Sequence, residues 1–534
     1  MDPDYVVVGS GLAGLSFAAL AAKSGRRVLV LEAHDKPGGY AHTFDVGRHR
    51  FNAQLHYVWN CGEGRTVDDF LGKLGLREAI EFVELEPSGY DHMRIPGYAL
   101  DVPGDFEELA RRLAALFPAH AEGCSGFVEE LARTDAELEA IPSSLGDVHR
   151  VFGSRGYLRL VKWRNATLKD VFEHHRLPIE AQALLALQWP DFLLPPGRLS
   201  FFAWVKLFAG YARGAFYPRK HFHHVVDSLV RIVRENGGEV LYGKRVAKFL
   251  LEGSRVVGVR YESLGASGEP TGVFEDVRAT EVVSNMDPRE AAELVGLERF
   301  APRIREKLQY DYSPSSFVAY CAVEGLDLRE HGFGRWNLFH SEDADLDRTF
   351  DAMFERADYS KISFAASTPT LVSDEPGACP PGQQLLELLT VADYRRFLHL
   401  KLDDPRAYRE AKQAIFDAMI DVLEERYVPG LRKHLSVHVL GSPTTNERFC
   451  RAPAGNSYGA SMVPRLIWPG RLDHRTSIAG LHFCNATSGY AGFTGTIWTG
   501  CRLYEHLTGD SVHRGPHVRE ERPLPPYRRE RVLR

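Results

Sequence analysis

Apolar positions in this chain fall into short unbroken runs separated by glycine. Tyr5-Val6-Val7-Val8 is followed by Gly9-Ser10-Gly11-Leu12-Ala13-Gly14, a stretch of helical spacing, and a second run Val28-Leu29-Val30-Leu31 that ends in Glu32. Runs of this length without alternation predict strands covered on both faces, so the order reads strand, glycine turn, helix, strand, acid. A similar texture returns further on. Val225 to Gly238 predicts a helix closed by Gly237-Gly238, then come Val240-Leu241-Tyr242, a β-rich Val246 to Tyr261, and a buried strand from Ala279 to Asn285 stopped by Asp287-Pro288. Residues 1–80, 215–295 and 440–510 are therefore expected to build one discontinuous α/β domain. The insertions 81–214, mostly helical, and 296–439, which mixes helices with strands such as Phe317–Val323, are expected to form an inserted α+β substrate domain.

The first forty residues carry specific chemistry. In the strand–turn–helix setting, Gly9 permits a tight turn, Gly11 lets backbone N–H groups approach a pyrophosphate at the positive end of the helix, and Gly14 lets helix and strand pack closely. Leu12 and Ala13 supply N–H groups of that first turn, and Glu32, followed by Ala33, is placed to accept ribose hydroxyls. The reading is a dinucleotide site. A second glycine pair, Gly38-Gly39, follows soon after the acid, where another backbone segment crosses close to the cofactor. This pair resembles the extended fingerprint of FAD proteins of the glutathione-reductase and amine-oxidase type, which implies a Rossmann-like FAD-binding domain. No second strand-linked G-x-G-x-x-G occurs, which argues against a separate NAD(P)H domain.

Composition narrows the partners. A chain of 534 residues with 44% hydrophobic side chains can bury large cores, and its formal net charge of -6 lacks the basic excess that nucleic acid demands. Seven cysteines without C-x-x-C or zinc-like spacing read as free thiols, no metal site is expected, and no run reaches the roughly eighteen apolar residues of a membrane span. A cytoplasmic location is expected. From His149 to Arg164, Arg150, Arg155, Arg159, Lys162 and Arg164 alternate with Val151, Phe152, Leu158, Leu160 and Trp163. That composition suits either a helix lying on a membrane surface or a surface helix packed by one face on its own domain; the second reading is preferred. Trp189 to Tyr217 is dense in aromatic residues and is read mainly as core, with a tunnel for a long apolar molecule as the alternative. The arginine- and proline-rich end, 511–534, is expected to be a disordered tail.

The order of several weaker motifs resembles the flavoprotein family of retinol saturases, carotenoid isomerases and phytoene desaturases. The motifs are His42-Thr43-Phe44, Phe51, Leu55-His56-Tyr57, Phe216-Tyr217-Pro218-Arg219, Val283-Ser284-Asn285, Thr445 to Phe449, Ala452 to Gly459, and Gly480 to Thr487 through Gly492-Phe493-Thr494-Gly495. The resemblance spans nearly the whole chain. It implies FAD as cofactor, with contacts from Val246, Asn285, Asn485, Thr487 and Thr494 in addition to the residues of the first two strands. Three positions depart from the family pattern. Asn52 stands in the F-D-x-G segment, Lys220-His221 replace a glycine pair, and Asn485-Ala486-Thr487 replace the Gly-Asp that holds the ribityl chain; Asn or Thr still bonds a hydroxyl, without charge.

A flavin acting on a carbon–carbon double bond needs an apolar slot, hydride transfer at one carbon and a proton donor near its neighbour. The resemblance places His56 and Tyr57 near the flavin, and either side chain can donate a proton; a buried, hydrogen-bonded His–Tyr pair of purely structural role is the alternative. Lys220, His221, His223 and His224 form a second polar cluster expected to precede a helix near Val225, with Lys220 or His221 facing the flavin. The resemblance thus implies an oxidoreductase acting on an extended hydrophobic polyene or isoprenoid by saturation, desaturation or isomerisation. Two alternatives stand beside it: an amine-oxidase-type enzyme of specialised metabolism, and an FAD-holding binding protein without catalysis. The electron partner is left open.

Overall fold

In the computed structural model, residues 2–141, 157–467 and 470–513 are described. Five parallel strands form the central sheet in the order Glu239–Leu241, Val28–Leu31, Tyr5–Val8, Glu281–Ser284, Leu481–Phe483. Strand side chains alternate between faces. Val7 and Val30 therefore pack on helices, among them Leu12–Lys23, His221–Glu235 and Gly492–Thr508. Val6 and Val8 instead join the core beneath the antiparallel sheet Lys244–Glu252, Arg255–Leu264, Pro270–Arg278. Coverage of both faces is why the apolar runs are unbroken. Gly500 lets the helix Gly492–Thr508 lie directly on Leu12–Lys23, since a Cβ there would meet the Ala13 carbonyl oxygen at 2.5 Å.

A seven-stranded sheet forms the second layer system, in the order Leu435–Gly441, Ser315–Glu324, Gln383–Ala392, Ser363–Ser367, Asn337–Ser341, Asp91–Ile95, Tyr98–Val102. Its neighbours are antiparallel except Asn337–Ser341 and Asp91–Ile95, which run parallel with Asn337 opposite Asp91. Strands from both insertions thus share one sheet. Helices of the first insertion cover it, and the aromatic stretch after Trp189 is core: Phe201, Trp204 and Phe208 are buried and pack with Phe127 and Phe172.

The helix Leu158–Trp163 buries Leu160 and Trp163, leaves Leu158 exposed, and is held by Glu130 and Glu137 through Trp163 Nε1 and the Arg159 N–H. It packs one face on its own domain. Arg150, Val151, Phe152 and Arg155 lie outside the described residues, as does 514–534 of the tail. No helix among the described residues is long and apolar enough to cross a membrane. The helix read as starting near Val225 begins at His221, because Phe222 already joins the apolar face of Val225, Val226 and Leu229.

Candidate functional site

A cavity of about 840 Å³ runs along the carboxyl ends of the parallel strands, where open α/β sheets bind ligands. Its volume is in the range of cofactor clefts. Gly9, Gly11, Leu12, Ala13, Glu32, Ala33, Gly38, Gly39, Val246, Asn285, Asn485 and Thr487 all line it. Backbone geometry explains the glycines. Gly9 and Gly38 have φ of 96° and 111°, in the region side-chain-bearing residues avoid. A Cβ on Gly11 would stand 2.5 Å from Asn285 Oδ1, and one on Gly14 would meet the Gly9 carbonyl oxygen at 2.7 Å. Gly14 therefore serves the packing of helix on strand and does not face the cavity.

The helix Leu12–Lys23 opens into the cavity with Gly11 at its N-cap, no side-chain cap and no acidic residue in its first turn. Its free N–H groups and positive dipole end are unclaimed by protein and suit a pyrophosphate. Glu32 is fixed from behind, accepting from the Ser10 N–H and hydroxyl at 2.7 and 2.6 Å and from the His34 N–H at 2.7 Å. Oε1, which accepts only the His34 N–H, keeps a lone pair for a ribose hydroxyl. At the other end a second uncapped helix, Gly492–Thr508, brings Ala491, Gly492 and Phe493 into the wall. Asn485 ties the neighbouring loops together, donating to the Met286 carbonyl at 2.7 Å and accepting from the Ser488 N–H at 2.9 Å. Thr487 Oγ1 accepts from the Ala460 N–H at 3.1 Å. Thr494 is placed otherwise: its hydroxyl donates to the Trp59 carbonyl at 2.5 Å, away from the cavity lining. The donor set, two helix N-termini and an acid at one end, fits FAD.

His56 and Tyr57 follow Leu55, which lines the large cavity, and themselves border a second, small cavity of about 10 Å³ on the seven-stranded sheet. His56 Nδ1 pairs with Glu387 Oε2 at 2.9 Å, and the fully buried Glu387 also accepts from the Asn52 N–H at 3.4 Å. His56 Nε2 is buried without a protein partner. The Tyr57 hydroxyl lies 2.9 Å from both Asp91 Oδ2 and Asp191 Oδ2, and its ring stacks on Tyr211 at 4.0 Å between centroids. Asn337 and Gln188 donate to Asp91 at 3.0 and 2.5 Å. Burial is the main cause that pushes the Asp91 carboxyl up to about 7 and that of Asp191 to about 8.

The histidine cluster disperses. His221 Nδ1 bonds the Tyr217 hydroxyl at 2.7 Å, His223 Nε2 faces Glu375 at 3.2 Å, and His224 Nε2 reaches the Ala79 carbonyl at 2.9 Å. Lys220 is exposed, and neither it nor His221 lines the large cavity. Among the described residues no group of three or more His, Cys, Asp or Glu is placed to hold a metal. Arg448 is exposed with its guanidinium over the Phe449 ring.

Sequence reading missed Asp91, Gln188, Asp191, Asn337 and Glu387. One signal was present: Glu387 is a lone carboxylate in Leu385-Leu386-Glu387-Leu388-Leu389, and a charge inside such a run is retained only with a partner.

Residues 7–74 match the family model of an NAD(P)-binding Rossmann-like domain. The chain is 23% identical over 526 residues to the all-trans-retinol 13,14-reductase of Danio rerio, covering 93% of this chain and 84% of that protein. It is 26% identical over 536 residues to the phytoene dehydrogenase of Streptomyces griseus, covering 96% of each. Among solved structures, putrescine oxidase bound to putrescine superposes with a TM-score of 0.62 at 15% identity, over 96% of this chain and 100% of that one. The fold is that of the amine-oxidase type, and the relationship to the retinol-reductase and phytoene-dehydrogenase proteins runs over nearly the whole chain.

Proposed function

We propose that this chain is an FAD-dependent oxidoreductase acting on a carbon–carbon double bond of an extended apolar polyene or isoprenoid. The observation that carries the reading is the cavity of about 840 Å³ with an uncapped helix N-terminus at each end and Glu32 at one of them. The names of its relatives, a retinol reductase and a phytoene dehydrogenase, supply the substrate class. FAD would rest its pyrophosphate on the N–H groups of Leu12 and Ala13 and its ribose on Glu32, with Val246, Asn285, Asn485 and Thr487 along its length. When bound, it supplies hydride transfer. The chain supplies orientation, exclusion of water and a proton beside the reacting carbon, the last from the His56–Glu387 and Tyr57 networks. A brief contact with a membrane surface, where such substrates partition, is part of this reading, with the exposed Leu158 as its point of approach.

The test is the absorbance spectrum of the purified protein, identification of the released cofactor, anaerobic reduction, and addition of all-trans-retinol and phytoene. Reoxidation of the reduced flavin by either supports the reading. FAD that no polyene or isoprenoid reoxidises, but that an amine reduces, moves the chain to the amine-oxidase class, and FAD that responds to no reductant makes it a binding protein.

A further inference from the structure

Two carboxyl groups, one buried and one half-buried, meet on one hydroxyl. Tyr57 Oη is 2.9 Å from Asp91 Oδ2 and 2.9 Å from Asp191 Oδ2, yet a tyrosine hydroxyl has a single proton to give. One contact is therefore a bond donated by Tyr57, and the other must be donated to Tyr57 by a protonated carboxyl. The remaining donors decide which. Asp91 accepts from Asn337 Nδ2 at 3.0 Å and Gln188 Nε2 at 2.5 Å, and these two amide donors favour its charged form. The Asp191 carboxyl has, among the described residues, only Tyr57 as a hydrogen-bond partner, and Asp191 is one of the residues lining the small cavity. Burial and the neighbouring charge of Asp91 both favour the neutral acid.

The same small cavity is lined by Asp191 and by His56. Its volume of about 10 Å³ suits a single water molecule. Tyr57, Asn337, Ser367 and Glu387 line it too, together with apolar side chains. His56 has its Nε2 buried without a protein partner. Leu55, the residue before His56, is already in the wall of the large cavity, and Tyr458, also in that wall, reaches the carbonyl of Pro190, the residue before Asp191.

Resting on the function proposed above, we infer that Asp191 is the proton-supplying residue of a double-bond reduction, holding one proton as a neutral acid bridged by Tyr57 to Asp91 and releasing it through the water-sized cavity beside His56. In that step the π bond is consumed. A hydride from the reduced flavin forms one C–H bond, the Asp191 O–H bond breaks, its proton forms the second C–H bond by way of the water, and the flavin is left oxidised. Asp191 is left as a carboxylate beside Asp91 and regains a proton from solvent before the next turnover. Desaturation would require a proton acceptor at this place; a neutral acid has the opposite polarity. The chain is thereby assigned to the reducing branch of its relatives.

The test uses FAD-loaded wild type and Asp191→Asn, whose amide can still donate to Tyr57 and so preserves the packing. Infrared spectra at neutral pH, recorded without substrate, should show a protonated-carboxyl C=O band in wild type that is missing in Asp191→Asn. In single turnovers of dithionite-reduced enzyme with all-trans-retinol, the variant should reoxidise more than tenfold slower. Wild type should lose rate above about pH 8 while the variant shows no such limb. A wild-type spectrum without the band, a band that survives in Asp191→Asn, or a variant with wild-type rate and pH profile overturns the assignment. A wild-type flavin that no polyene reoxidises overturns the substrate reading and the delivery step with it, whereas the band decides the proton's place independently.

Discussion

Asn52 and His221 meet on one atom. Asn52 Nδ2 is 2.5 Å and His221 Nδ1 2.7 Å from the hydroxyl of Tyr217. His221 has a glycine-like backbone with φ of 59°. Such a conformation costs a side-chain-bearing residue on the order of 1–3 kcal/mol unless its surroundings hold it there. The buried bond to Tyr217 is that hold, and Asn52 completes it.

The shared hydroxyl couples the two positions energetically. In a double-mutant cycle of Asn52→Ala and His221→Ala, chemical denaturation should give an interaction energy of at least about 0.5 kcal/mol. Strict additivity would mean that the substitutions are independent.

Burial keeps the His221 imidazole neutral, pushing its pKa down to about 4 from the ordinary 6.5. The unfolded chain then binds more protons than the folded one between those values, so stability contributed here is full above about pH 6.5 and is lost as pH falls toward 4. Thermal melts from pH 7 to 4 should show a smaller loss in His221→Gln than in wild type; equal slopes would count against the assignment.

Glu387 fixes the ring of His56 through Nδ1 and leaves Nε2 buried without a protein partner. Glu387→Gln, His56→Ala and Tyr57→Phe should each retain FAD and slow turnover by more than tenfold. Steady-state kinetics at saturating substrate, with flavin content measured in parallel, checks this, and unchanged turnover in all three would make the network structural.

At Gly11 even a methyl group is too much, since its Cβ would sit 2.5 Å from Asn285 Oδ1 and force Asn285 from its 2.5 Å bond to the Cys484 carbonyl. Gly11→Ala should weaken FAD binding at least tenfold in a fluorescence titration, and Gly11→Glu should abolish it. A Gly11→Glu protein purified with full flavin content would refute the cofactor placement.

The parallel sheet and its glycine turn were legible because the information is local: Tyr5 to Glu32 is one continuous strand–turn–helix–strand unit whose periodicity needs no distant partner. The acid network was not. Asp91, Asp191 and Glu387 come from a strand of the first insertion, a turn before its core helices and a strand of the second insertion, and they become neighbours only when one sheet draws strands from both. His56 and Tyr57 were found through motif resemblance, and their roles depend on those partners. The placement of Thr494 was also invisible, since residues within a helix's first turn differ only in which way they point.

The central sheet has a consequence for biosynthesis. Its first strand, Tyr5–Val8, leaves the ribosome with both edges open, and one neighbour, Glu281–Ser284, and the outermost strand, Leu481–Phe483, are made far later. At about 5–20 residues per second the outermost strand follows the first by on the order of a minute. Until Glu281–Ser284 is made the nascent Val6-Val7-Val8 run is an unpaired apolar edge, and after that the open edge is Glu281–Ser284 itself, so truncated chains ending before either partner strand should be prone to aggregate.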